Sequence, residues 1–393
     1  MVKHTIKQDR NTTWTIDGDN EVWTLKTKAE ISTFGTAIDV LATSEGNDLH
    51  LLGDVKANGA LSRGVQVLGD DTTIFIGEKS TIQARSGIWN SAEGLTIQNE
   101  GEIDGGFRGI DTSEAALIRN AGTISGRIGI EAVGSSRIVN RSDGEISGET
   151  SAIDIVSGYN ATIVNRGSIS GDDAAITISG IGSNLVKNFG TIVGDIVGGN
   201  GFDIIDTRKG TVEGALRGGG AADVYRIADS DTTIVELAGN GNDRVESWAS
   251  YALAANLEDL ILKGKGDFSG LGNGEDNVIY GNKGDNTLTG GGGDDVINGW
   301  HGDDMMNGGA GDDTFVFQRD GDHDRISGFE HGADKITMIF DGFNEFADIQ
   351  DRISQHGDDV WISMGQGDRL ILLDTDIADV DASDFNFEYT SSA

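Results

Sequence analysis

Between residues 95 and 195 the apolar positions recur in a steady rhythm. The string NEGEIDG (Asn99–Gly105) returns as NAGTISG (Asn120–Gly126), again with two extra residues at Asn140–Gly148, then at Asn165–Gly171 and at Asn188–Gly194. Its isoleucines, Ile103, Ile124, Ile146, Ile169 and Ile192, are spaced by 21, 22, 23 and 23 residues. A second apolar series precedes them at Ile97, Ile118, Ile138, Ile163 and Val186, and a third lies between, at Ile110, Ile130, Ile153 and Ile176. Counting back by 21 places Ile82 and Leu61 in the first series and Ile76 and Val55 in the second, so about seven coils are expected.

Three short alternating apolar stretches per repeat, each closed by Gly or Asn, are what one coil of a three-sided parallel β-solenoid requires. Each coil stacks on the next at the strand spacing of about 4.8 Å. The expected fold is all-β, a right-handed parallel β-helix. Leucine-rich repeats have a similar period, but their LxxLxLxxN pattern is missing. Asn99, Asn120, Asn140, Asn165 and Asn188 fall at one coil position and read as a stacked structural ladder at a corner. Trp14 and Trp23 read as closing an end of the stack, and Trp89 as a candidate sugar platform.

Composition narrows the class. The 393 residues include 60 Gly, no Pro and no Cys. A proline would delete a ladder donor in a stacked strand, which rationalises part of its absence. Without Cys there are no disulfides, thiolate metal sites or cysteine nucleophiles. Acidic side chains number 65 against 29 basic, a net charge of −36, which argues against nucleic acid or anionic membrane as partners and for a cation. The charge is uneven: residues 1–190 hold 25 acidic and 16 basic groups (net −9), and residues 191–393 hold 40 and 13 (net −27). No apolar run reaches the length of a membrane span or a signal-peptide core, so neither membrane insertion nor a cleaved N-terminal signal is expected.

The acidic half carries a second, shorter code. From residue 290 the chain reads GGGGDDVIN, GWHGDDMMN and GGAGDDTFV, three nonapeptides of the form G-G-x-G-x-D-x-U-x with apolar U at Ile297, Met306 and Phe315. Gly281–Thr289 fits with Asn286 in the Asp place and Leu288 as U. Looser copies upstream present Asp203, Asp223, Asp243 and Asp276. Glycine turns expose backbone carbonyls while the Asp supplies a carboxylate, the hard oxygen shell that Ca²⁺ prefers. Two nonapeptides make an 18-residue coil, so Asp295 and Asp313 share one edge, and Asn286 and Asp304 the other. The Asp295 edge is expected to bind more tightly, since the other has one charge fewer. The fifth-position acids Asp294, Asp303 and Asp312 read as solvated.

These repeats resemble the RTX (repeats-in-toxin) family, exported by Gram-negative type I secretion systems. The resemblance implies a calcium β-roll with metal ligands at Asp203, Asp223, Asp243, Asp276, Asn286, Asp295, Asp304 and Asp313. Residues 223–264 are similar to the family's spacer units. The tail from Asp313 is similar to the C-terminal cap of serralysin-type proteases, which in the family carries an uncleaved secretion signal. Asp324 and Asp334 read either as a further calcium site or as part of the cap. The expected organisation is a solenoid over 1–194, a calcium roll over 195–317, and a cap with the export signal over 318–393.

An enzymatic cargo finds little support in the residues. There is no His-Glu-x-x-His, and no histidine lies between His50 and His301. His301, at a variable repeat position, reads as exposed. A polysaccharide lyase or epimerase is the enzymatic alternative, but the Asp-Pro-His cluster of such enzymes is missing and Tyr159 is the only tyrosine in the first 190 residues. Arg108, Arg127, Asp111 and Glu131 occupy successive coil positions that could line one face; Asp172-Asp173 reads as a turn and not a carboxylate pair. The expected function is therefore a secreted, calcium-binding structural or adhesive protein at the cell surface or in extracellular matrix. Its expected partners are calcium, the type I secretion apparatus, and extracellular polysaccharide or other copies of itself. A lyase or epimerase is the first alternative, a toxin or bacteriocin-like effector the second, though no pore-forming apolar segment supports the latter.

Overall fold

The computed structural model describes residues 2–156, 160–319, 322–340 and 342–387; Tyr159 lies outside them. The chain forms two compact units, residues 1–223 and 224–393. The first unit is a parallel β-solenoid. Among the described residues its first sheet runs through ten short strands, from Lys3–Ile6 to Ile204–Asp206. Each middle coil continues into a long strand, such as Glu102–Thr112 or Thr123–Val133, that bends at a register shift into the second and third sides. From Ser168–Gly171 and Ala174–Ile178 onward the two sides are separate strands.

The three apolar series stack in register, as the repeat implies. Ile103, Ile124, Ile146, Ile169 and Ile192 pair in sequence, as do Ile97, Ile118, Ile138, Ile163 and Val186, and all are at most 2% exposed. Burying each such side chain contributes about 1.5–3 kcal/mol. The asparagine ladder is also present: Asn99, Asn120, Asn140, Asn165 and Asn188 are buried, each Nδ2 donating to the next Oδ1 at 2.8–2.9 Å. Trp14 and Trp23 are buried edge to face, with His4 stacked on Trp23.

Counting back by a fixed 21 fails beyond Ile82. Ile82 pairs with Val55, not Leu61, so Val55 belongs to the first series; Leu61 is 87% exposed. In the second series Ile97 pairs with Ile74, and Ile76 pairs instead with Asn99. The causes are two insertions: the ladder skips from Lys56 to Arg63 while its neighbour advances only from Gln83 to Ser86, and the step from Ile76 to Ile82 is two residues longer than that between their partners Asn99 and Ile103. The expectation of about seven coils thus falls short of the ten strands in the first sheet, because the fixed step loses phase before the N-terminal coils are reached.

The second unit is a two-sheet roll in which alternate nonapeptides feed opposite sheets. Ile279, Ile297 and Phe315 pair on one sheet, Leu288 and Met306 on the other, and all five are fully buried. Toward the C-terminus the second sheet leaves the parallel pattern. Asp368–Leu372 pairs antiparallel with Asp359–Gly365, which pairs antiparallel with Ile353–His356, so the apolar end of the roll is covered by a meander.

Candidate metal centre

The repeat aspartates form columns that run along the roll. The backbone N–H of Asn277 donates to Asp295 Oδ1 at 2.7 Å, that of Asp295 to Asp313 Oδ1 at 2.9 Å, and that of Asp313 to Asp334 Oδ1 at 3.0 Å. On the other edge Asn286 donates to Asp304 Oδ1 at 2.7 Å and Asp304 to Asp324 Oδ1 at 3.0 Å. One oxygen of each carboxylate thereby replaces a missing ladder bond where the chain turns. The exposed outer acids do the same in the opposite direction: Asp294 and Asp312 donate back to the carboxylates of Asp276 and Asp294. They are therefore turn-forming acceptors as well as a source of field.

The second carboxylate oxygen distinguishes the sites. Oδ2 of Asp295 and Oδ2 of Asp313 are buried and accept no hydrogen bond. Each lies over the first glycine of its own hexad, where a Cβ on Gly290 or Gly308 would stand 2.0 or 1.8 Å away. The second hexad residue explains the difference. Gly291 and Gly309 are left-handed (φ 119° and 114°), which turns their N–H away from the carboxylate. Where that residue is not left-handed, the N–H reaches the acid: Gly199 donates to Asp203 Oδ2 at 2.9 Å, Asn273 to Asn277, Asn282 to Asn286, and Glu330 to Asp334 Oδ2 at 2.8 Å. Gly219 and Trp300, which precede Asp223 and Asp304, share the left-handed conformation (φ 107° and 75°).

Burial without a donor pushes the Asp295 carboxyl up to about 7, with the neighbouring charges of Asp313, Asp276 and Asp294 adding to the effect and the Asn277 N–H opposing it. Burial likewise raises Asp313 and Asp334. A buried carboxylate oxygen without a partner is costly unless a cation meets it. The residues therefore fit a hard divalent cation, which Asp295 and Asp313 would hold together with the carbonyls of the glycine turns, offsetting part of the column's charge. Nothing in this geometry invites a softer metal.

The remaining expected ligands divide. Asp223, Asp243 and Asp304 are buried at their turns. Asp203 is buried too, but both its oxygens accept N–H groups, from Asn184 and Gly199. Asn286 occupies the inner column with its Oδ1 taken by Asn282. Asp276 requires a correction of position: it stands in the exposed outer column, and Asn277, 18 residues before Asp295, holds the inner place. Counting back in steps of nine from Asp295 finds Asn277. Asp324 and Asp334 continue the inner columns into the cap. A cluster that sequence reading missed joins His331 Nδ1 to the buried Asp384 at 2.9 Å, near Asp381.

On the solenoid, Arg108 does meet Glu131 (2.7 Å) and Asp111 (3.4 Å) on one face, and Arg127 lies at the adjoining bend. Burial raises the Asp111 and Asp154 carboxyls, with Arg108 opposing. Asp172 and Asp173 occupy a bend.

Residues 271–305 and 280–315 match the model of the RTX calcium-binding nonapeptide repeat, four copies. The endo-1,3-1,4-beta-glycanases ExsH and EglC of Rhizobium meliloti (strain 1021) are 37% identical over 182 residues and 38% identical over 177, which is 46% and 45% of this chain. The matches span 37% and 36% of those proteins, little over a third of their length. A solved structure, the extracellular lipase LipA from Serratia marcescens, aligns at 17% identity and a TM-score of 0.25, covering 64% of this chain and 44% of the lipase. The nonapeptide match and the stacked aspartate columns together show that the chain carries RTX calcium-binding repeats and has a parallel β-solenoid fold.

Proposed function

We propose that this protein is secreted and acts as a calcium-dependent structural or adhesive component of the cell surface or extracellular matrix. The observation that carries this reading is the pair of buried, donor-free oxygens on Asp295 and Asp313, which the fold tolerates poorly without a cation. Outside the cell, millimolar calcium holds such a site near saturation; at ten times its dissociation constant each site contributes about 1.4 kcal/mol. Several sites together rival the net stability of a domain. In low calcium the acidic half repels itself and stays loose, which suits passage through a type I apparatus guided by a C-terminal signal. No helix among the described residues is long and apolar enough to cross a membrane. Circular dichroism with and without chelator tests the reading: the strand signal should fall on chelation and return with calcium, and an unchanged signal refutes it.

A second reading, action on extracellular polysaccharide, is favoured by the Arg108, Asp111 and Glu131 face together with the two partial glycanase relatives. A lyase would generate unsaturated products from uronate polymers, visible as rising ultraviolet absorbance. A flat trace with uronate polymers rejects the lyase.

A further inference from the structure

The long strands of the solenoid kink at one place in every coil, and three successive kinks carry related side chains. The register passes from Ala84 to Ser86, from Gly105 to Arg108 and from Gly126 to Ile128, leaving Arg85, Gly106-Phe107 and Arg127 in the bulge. Bulges swing their side chains off the sheet. Around the Phe107 ring stand the guanidinium carbons of Arg108, Arg85 and Arg127, at 4.7, 5.0 and 5.8 Å from its centroid. One coil earlier Arg63 stacks on Trp89 at 3.9 Å. The groove between them, about 410 Å³, includes Arg63, Arg85, Trp89, Phe107, Arg108 and Asp111.

Charge makes this place unusual. Arg108 is neutralised by Glu131 and Asp111, and Arg63 meets Gln66. Arg85 and Arg127 are exposed and, among the described residues, neither guanidinium forms an ion pair; each contacts the Phe107 face instead. Two guanidiniums without an ion pair flank one aromatic ring, in a chain of net charge −36, and favour an anion, although Asp104, Glu149 and Asp172 line the hollow beside Arg127. Arginine forks bind carboxylates in bidentate fashion, and aromatic faces suit the apolar face of a sugar ring. Arg85 and Arg127 lie two coils apart, about 10 Å, a span that suits an oligosaccharide better than a single small anion.

We propose that this groove binds an acidic polysaccharide, its sugar rings against Phe107 and Trp89 and its carboxylates on Arg85 and Arg127. The proposal rests on the second reading above, in which this face of the solenoid meets extracellular polysaccharide, and is independent of how the roll responds to calcium. Calorimetry of the full chain with short oligogalacturonides tests it, with neutral cello-oligosaccharides and a sulfated oligosaccharide as comparison arms. Oligogalacturonide should bind, weaken with added salt, and lose roughly tenfold or more in affinity in an Arg85→Gln/Arg127→Gln variant. A Phe107→Leu variant should also bind more weakly, since an aliphatic side chain loses the ring face. No binding by the wild type, equal binding by the double variant, or equal binding of the neutral oligosaccharide overturns the proposal; preference for the sulfated arm overturns the carboxylate assignment. The calcium response of each variant is measured alongside. Intact calcium-dependent folding without oligogalacturonide binding removes this inference and leaves the calcium reading standing, and the converse result removes only the latter.

Discussion

Asp295 donates its backbone N–H to Oδ1 of Asp313 at 2.9 Å, while its own Oδ2 lies buried over Gly290 with no donor in reach. At Asp295 and Asp313 one oxygen closes the stack, and the other is buried without a donor. The division goes with the left-handed Gly291, because a residue there that is not left-handed aims its N–H at the carboxylate, as Gly199 does toward Asp203.

Removing charge on this edge should matter more than on the other. Asp313→Asn is expected to lower the calcium-dependent rise in melting temperature more than Asp304→Asn does, because the column of Asp313 also holds Asp295 and Asp334 whereas Asp304 shares its column with Asp324. The loss should be about 1–2 kcal/mol. Thermal melts across a calcium titration measure it, and equal losses would contradict the ranking.

Steric closure of the glycine cradle should mimic loss of the ligand. In Gly308→Ala the new Cβ would lie 1.8 Å from Asp313 Oδ2, so the carboxylate must move. Weaker calcium binding is expected by isothermal titration, with the calcium-free melting temperature changed far less than the calcium-bound one.

Protons and calcium should compete at Asp295. Its folded carboxyl sits at about 7, above its unfolded value of 3.8, so the folded calcium-free state holds the extra proton. Its contribution to stability is then full below about pH 4 and is lost as pH rises through 7. Chelated protein should accordingly resist urea better at pH 5.5 than at pH 7.5, whereas calcium affinity should fall over the same acidification. Urea midpoints that rise with pH in chelator would rule this out.

Trp300 occupies the left-handed position that Gly291 and Gly309 hold in sister coils, and it is 44% exposed. A bulky side chain costs about 1–2 kcal/mol in that conformation. Trp300→Gly should therefore stabilise the calcium-loaded roll by about 1 kcal/mol, read as a raised unfolding midpoint.

The asparagine ladder offers a calcium-independent control. Asn140→Ala cuts the ladder links from Asn120 Nδ2 and to Asn165 Oδ1, and removes the Nδ2 donor to the Gly144 and Ser168 carbonyls, inside a buried column. A loss of about 2–3 kcal/mol is expected, the same with calcium or chelator. A calcium-dependent loss would mean that the ladder and the roll do not unfold separately.

Much of this was legible in the residues. Tandem repeats state their own period, so the three apolar series, the asparagine ladder and the 18-residue spacing of Asp295 and Asp313 could be read directly. What escaped has one origin. Insertions between Lys56 and Arg63 and between Ile76 and Ile82 shift the phase without leaving a periodic mark, so Val55 fell in the wrong series and Ile74 was passed over for Ile76. The same blindness to exact phase put Asp276 where Asn277 stands.

The sequence by itself determined the stacking unit, the buried stripes and the columns of acids, because side-chain polarity at a fixed repeat is enough to select them. The tertiary structure alone decided which carboxylate oxygens are left without a donor and which arginines gather on Phe107. Those outcomes depend on a backbone dihedral at the second hexad position and on bulge registers between coils more than 20 residues apart. Such quantities are set only when neighbouring coils compete for the same N–H groups, and a linear pattern of polar and apolar residues does not carry them.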